Sequence, residues 1–213
     1  MQTYSHYIIT ATLGRIWGKR EAETGTLSFA GYELPSFKKK TFLLGSVTPD
    51  LLLTLIAIVA IGYDLIRGVE FGPDIESTDS AASWLFNYAF FNVWWVKAAQ
   101  NLFHAPLLVL SYIAIGYVAW RYGRQWGAYL FWLATASLIH TAIDIPLHYD
   151  DGPLLLFPFN ATTRFYSPVS YWDPNRYGTI AASIEHIFVL GLLIYLIWDW
   201  RKNRPQTSES DTS

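Results

Sequence analysis

The chain contains no cysteine and a single methionine. Without cysteine there are no disulfides, thiolate metal sites or cysteine nucleophiles, so any metal must be held by imidazole and carboxylate. Charge is scarce too. Asp, Glu, Lys and Arg make up 15% of the 213 residues, against roughly 25% in an ordinary soluble domain. The net charge of −2 offers no attraction to a polyanion, and no nucleic-acid partner is expected. Met1 to Gly18 lacks the charged-then-apolar order of a signal peptide. Apolar surface is abundant instead. The chain is 52% hydrophobic, with ten Trp, fourteen Tyr and thirteen Phe, a composition that suits a membrane protein with broad interfacial belts.

The order of segments predicts an all-α fold: a multi-spanning membrane bundle of four to five helices plus a short N-terminal amphipathic helix. That first helix is expected over residues 3–17, with Tyr4, Ile8, Leu13 and Ile16 among its apolar positions. A polar loop follows over 18–40, then a long apolar segment from Thr41 to Ile66. Within it, Thr48-Pro49-Asp50 reads as N-cap, first helical position and first-turn acid, so the regular helix is expected from Pro49, with 41–47 in another conformation. The acidic stretch 67–82 (Glu70, Asp74, Glu76, Asp79) is expected to face water. The aromatic run 83–98 reads as one helix, interfacial or spanning.

Residues 103–120, 125–145 and 179–200 are spanning candidates, each close to the ~20 residues a bilayer core requires. Arg121-Tyr-Gly-Arg124 is the tight turn between the first two. A long Pro/Gly-rich loop occupies 146–178, of a length that often carries function. Residues 1–200 form one domain, and 201–213 a polar tail expected to be disordered. Basic residues near the span ends assign the tail and the 121–124 turn to the cytoplasm. Lys38–Lys40 agree with that side only if 83–98 does not cross.

The chemistry concentrates in His140-Thr-Ala-Ile-Asp144-Ile-Pro-Leu-His148-Tyr-Asp150-Asp151. His140 and Asp144 lie one helical turn apart, on one face. A tight turn makes the 103–120 and 125–145 helices antiparallel neighbours, so His104 and His140 fall at similar depth. His186 lies about two turns into the last span. Ionisable groups at membrane depth are costly and commonly functional. Zinc and similar cations accept this donor set, and a bound metal brings water towards a pKa near 7. Asp150, Asp151 and Glu185 are candidate general bases. Plainer readings stand beside these. Asp50 suits a helix N-terminus, Asp150-Asp151-Gly152 suits a turn, His186 or His6 can hydrogen-bond a neighbouring helix, and the aromatic run suits bilayer packing.

Gly45-Ser-Val-Thr-Pro49-Asp50, a His opening an apolar helix, HxxxD, and Gly152-Pro-Leu-Leu-Leu-Phe-Pro158 together resemble the membrane-bound metal-dependent hydrolases. That family is distantly similar to the zinc-dependent phospholipase C and single-strand nuclease fold. The resemblance covers roughly residues 1–190. It implies His6, Asp50, His104, His140 and Asp144 as metal ligands, with His148 and either His186 or Glu185 at a further metal. The Arg and Ser that family members carry around the middle His are absent from Asn101-Leu-Phe-His104-Ala105.

The expectation is therefore an integral, multi-pass membrane hydrolase with one divalent metal, zinc. Metal-bound hydroxide would attack an ester, above all the phosphoester of a membrane lipid. The alternatives are a non-enzymatic membrane protein, with the His/Asp cluster binding haem or forming an ion or proton path, or a structural homologue with a degenerate site.

Overall fold

A computed structural model describes residues 1–70 and 79–203 of the chain. Asp74 and Glu76 of the acidic stretch, and the tail beyond Asn203, lie outside the described residues. The architecture is mostly helical. Helix α1 spans Thr3–Thr24, and a two-stranded hairpin pairs Ser28–Phe29 with Tyr32–Glu33. Helices α2 (Lys39–Gly45) and α3 (Thr48–Arg67) follow. Three short pieces come next: α4 (Ala81–Trp84), a π-helical turn (Leu85–Ala89) and α5 (Phe90–Asn92). Then come α6 (Trp94–Asn101), α7 (Pro106–Arg121), α8 (Gln125–Asp144) and, after a long loop, α9 (Gly178–Lys202).

Several boundaries differ from expectation. Residues 41–45 are helical, within α2, and Thr48 does not cap α3 but begins it, its hydroxyl donating to the carbonyl of Leu44, 2.7 Å away. The aromatic run 83–98 is not one helix. It breaks at Val93, whose backbone is extended, so neither part is long enough to cross a bilayer. Residues 18–24 of the expected polar loop continue α1 instead, which ends where Gly25 takes a left-handed φ of 79°. The last helix runs on through Arg201 and Lys202.

Among the described residues, three helices are long and apolar enough to cross a membrane: Thr48–Arg67, Gln125–Leu147 and Gly178–Lys202. The count is up to four if α6 and α7, bent by 49° at their junction, act as one. Of the most apolar stretch of α9, only 11% is covered by the rest of the chain, and Ile187, Leu190 and Ile194 are exposed. Apolar surface of that extent marks contact with lipid or with another protein.

Helix α1 has the reverse pattern. Ser5, His6, Thr10, Thr12 and Gly14 are buried, whereas Tyr4 and Ile16 are exposed. It lies parallel to α9, as three pairings show: Gln2 with Glu185, Tyr4 with His186, and Arg15 and Lys19 with Asp199.

Close backbone approach sets the middle of the molecule. Helices α7 and α8 meet at Gly116 and Gly127, where a Cβ would fall 2.6 Å from the Phe131 nitrogen and 2.4 Å from the Trp120 nitrogen. On another side of α8, Gly45 lets α2 press in, since a Cβ there would lie 2.1 Å from the Leu133 carbonyl oxygen. Ser137 seals this contact by donating to the Gly45 carbonyl at 2.9 Å. Beside it Phe42 and Trp132 are fully buried, with Trp17 and Phe37 against them. The Trp132 indole N–H donates to the Pro35 carbonyl at 3.0 Å, tying the hairpin segment to α8.

Candidate metal centre

Five side chains from three helices and a helix junction converge near the C-terminal end of α8. His140 and Asp144 occupy its last turns, one above the other. Asp50 comes from the first turn of α3, where the helix dipole favours a carboxylate. His104 sits between α6 and α7, where Pro106 starts the new helix. Thr141 holds it there by donating to the His104 carbonyl at 3.0 Å. His6 comes from the polar, buried face of α1.

Asp144 is the centre of the cluster. Its Oδ1 lies 3.0 Å from His6 Nε2 and 3.1 Å from the Met1 amino nitrogen. Its Oδ2 lies 3.0 Å from His140 Nε2 and 3.3 Å from His104 Nε2. Asp50 Oδ1 is 3.4 Å from His140 Nε2, and its Oδ2 accepts from the Thr3 hydroxyl at 2.5 Å. The rings of His6 and His140 stack with centroids 3.5 Å apart, and His104 stands edge-on to His140 at 5.1 Å. Among the described residues there are two groups of three whose donor atoms lie within 4.8 Å of one another inside each group: His6, His140 and Asp144, and Asp50, His104 and Asp144.

The donors fit a cation. His140 Nδ1 is 2.7 Å from the Ser46 carbonyl oxygen, which only accepts, so Nδ1 carries the hydrogen. In the neutral ring Nε2 is then a bare lone pair. It faces the lone pairs of Asp144 Oδ2, an arrangement that a positive charge between them stabilises. The Nε2 atoms of His140 and His104 are buried with no hydrogen-bond partner of adequate geometry, as expected for ligands that point inward. Burial pushes His6 below its ordinary pKa, against the opposing hydrogen bond to Asp144, and so favours the neutral, ligating form.

The other predicted residues divide. His148 lies past a 3₁₀ turn, Ile145–Leu147, with Nε2 3.9 Å from Asp144 Oδ1. Its Nδ1–H donates to Asp151 Oδ2 at 2.8 Å. Burial acts to raise the Asp151 carboxyl, but the His148 hydrogen bond and charge bring it below the ordinary carboxylate value. Asp150 is exposed. Glu185 is buried beside the start of α1 and accepts from the Gln2 N–H at 3.1 Å. His186 is on the outer surface, 2.6 Å from the Tyr4 hydroxyl, and is not among the clustered donors.

A cavity of about 640 Å³ opens onto the cluster. Asp50, His104, Asp144, His148 and Asp151 form its polar side. Leu53, Phe86, Phe90, Phe91 and Trp172 form an apolar side. Asn101 ties the long loop to this region by accepting from the Leu154 N–H at 2.8 Å. Arg164 comes from the same loop. It donates to the Gly152 carbonyl and lies 5.3 Å and 5.7 Å from the ring centres of Phe90 and Phe91. Sequence reading did not single out Ser46, Thr3 or Arg164. Ser46 acts through its backbone, which carries no residue signal, and the other two are brought in by long-range packing.

No family profile, curated protein or solved structure matches this chain.

Proposed function

We propose that this chain is a multi-spanning membrane protein that holds one divalent metal, zinc, at His6, Asp50, His104, His140 and Asp144, and hydrolyses an ester. The substrate best suited to the cavity is a membrane lipid, and the bond a phosphoester. One observation carries the metal reading: His140 Nε2, with its hydrogen committed to the other ring nitrogen, faces Asp144 Oδ2 at 3.0 Å. Three imidazoles and two carboxylates without a thiolate form a donor set suited to zinc. When bound, such an ion acidifies water and polarises the substrate oxygen.

The residues of the chain do the rest. The apolar wall of Leu53, Phe86, Phe90 and Phe91 receives hydrocarbon, while the polar wall receives the ester. Asp151 orients His148 through Nδ1, and Nε2 faces the site, 3.9 Å from Asp144 Oδ1 and 3.4 Å from the Met1 amino nitrogen. From there His148 accepts a proton from the attacking water and returns one to the leaving oxygen. Asp151, rather than Asp150 or Glu185, is the candidate base carboxylate that touches an imidazole of the site. It is therefore a positioning residue.

Elemental analysis of the purified protein, alongside phospholipid cleavage, tests this reading. Stoichiometric zinc and turnover in the wild type, both lost in His140→Ala, support it. A protein without stoichiometric metal whose lipid cleavage survives His140→Ala refutes it. Metal-free protein without turnover points to a proton path through an imidazolium at His140.

A further inference from the structure

A second cavity, of about 450 Å³, lies between α1, α2 and α9 and is not lined by any of the clustered metal donors. Tyr7 and Arg15 face it from α1, Lys39 and Leu43 from α2, and Leu196 and Trp200 from α9. Each pair is spaced by four or eight residues, so each helix turns one face towards the same groove.

The charges in this groove do not balance. Asp199 is buried, at 2% exposure. Its Oδ2 accepts from Arg15 Nε at 2.5 Å, its Oδ1 accepts from Lys19 Nζ, and Asn203 Nδ2 adds a third contact at 3.2 Å. Two cations thus share one carboxylate whose oxygens are already engaged, and Lys39 adds a third cation on the facing wall. The nearby acid Glu21 accepts from the Phe37 N–H instead. The adjoining residues Arg20, Lys38, Lys40, Arg201 and Lys202 are also basic.

The surroundings indicate what neutralises the excess. The groove lies at the end of α9, a helix apolar and long enough to span. Its walls include Leu43 and Leu196, and the adjoining flank of α9 exposes Ile194 and Ile197. A free anion would use the cations and leave this apolar wall unmatched. We propose that the groove seats an anionic phospholipid, with its phosphate against Arg15 and Lys39 and its chains along Leu43, Leu196 and the flank of α9. Basic pockets between helices at the membrane edge bind such headgroups. The proposal rests on the membrane reading given above and is independent of the hydrolase reading.

The test uses the full chain in detergent, with bound lipid counted by native mass spectrometry. Phosphatidylglycerol is offered against phosphatidylcholine, with and without inorganic phosphate. The expected result is preferential retention of phosphatidylglycerol, reduced about five-fold in Lys39→Gln and further in Arg15→Gln/Lys39→Gln, with phosphate unable to compete. Lys39→Gln leaves the Asp199 contacts intact, so a loss in that variant is not a folding effect. Equal retention of the two lipids, or a preference unchanged in the double variant, overturns the proposal. Displacement by phosphate overturns its lipid part in favour of a free anion. Flotation with phosphatidylcholine vesicles separates the two readings. A chain that fails to float refutes the membrane reading itself, whereas one that floats without headgroup preference refutes only this site.

Discussion

His140 donates its Nδ1–H to the carbonyl oxygen of Ser46 across 2.7 Å, and this bond selects the ring tautomer. Nε2 is thereby left as an acceptor facing Asp144. The bond exists because α2 runs close against α8, bringing a backbone oxygen to the level of the site. In the neutral ring this leaves the Nε2 lone pair free to ligate a cation.

Metal content follows directly. Purified wild-type protein is expected to retain about one divalent ion per chain through a chelator wash, and His140→Ala and Asp144→Ala to retain little. Asp50→Ala should weaken retention less, because Asp50 is half-exposed and already accepts from Thr3. Wild-type levels of metal in both His140→Ala and Asp144→Ala would remove the site from consideration.

Gly45→Ala tests the close approach that presents Ser46. The new Cβ would fall 2.1 Å from the Leu133 carbonyl oxygen, so α2 must move away from α8. A cost of about 1–3 kcal/mol is expected, together with weaker metal retention. Gly62→Ala is the control, since nothing lies within 4 Å of its added Cβ. In that helix interior the change should be neutral or stabilising by roughly 0.5–1 kcal/mol. Thermal unfolding in detergent reads both, and equal effects would contradict the packing argument.

Asp151→Asn should keep its metal and lose turnover. The amide preserves shape but weakens the hold on the His148 Nδ1–H, so kcat is expected to fall about 10–100-fold with little change in KM. His148→Ala should fall at least as far. Loss of metal in His148→Ala would make His148 a ligand, not a base.

Acid should destabilise the metal-free protein through His6. Its folded pKa is depressed, so the unfolded chain binds the proton more readily. The stabilising contribution of neutral His6 is therefore complete above the ordinary histidine value near 6.5 and declines as pH falls below it. Between pH 7 and 5 the wild type should lose stability relative to His6→Asn, by up to about 1.4 kcal/mol per pH unit. Parallel thermal-stability curves for the two proteins across that range would contradict a neutral, buried His6.

Much of the helix layout was legible. The expected 103–120 and 125–145 helices appear as α7 and α8, joined at a turn where Gly123 takes φ 75°. The HxxxD spacing placed His140 and Asp144 on one face, and the antiparallel turn brought His104 to their depth. The break at Val93 was not legible, because no glycine or proline marks it. Helix α1 was legible as a helix but not in its orientation. Apolar periodicity is ordinarily read as the face turned inward, but here Tyr4 and Ile16 point out while Ser5, His6 and Thr10 point in. The inversion is confined to part of the helix, since Leu13 and Trp17 still pack against the cluster of Phe42 and Trp132.

The sequence by itself determined the donor chemistry. The absence of cysteine, the five histidines and the spacing of His140 and Asp144 limit any metal to nitrogen and oxygen ligands. It also determined where the long apolar segments lie, because composition is a local property. Only the tertiary structure decided which histidines meet. It brought His6 from residue 6 against His140, and it turned His186, one residue beyond the buried Glu185, to the outer surface. It also assigned Asp151, and not its neighbour Asp150, to His148. These outcomes depend on which side of each helix faces its neighbours. Backbone approach at Gly45 sets this for α2 against α8, two segments far apart in the chain, where no local pattern carries the information.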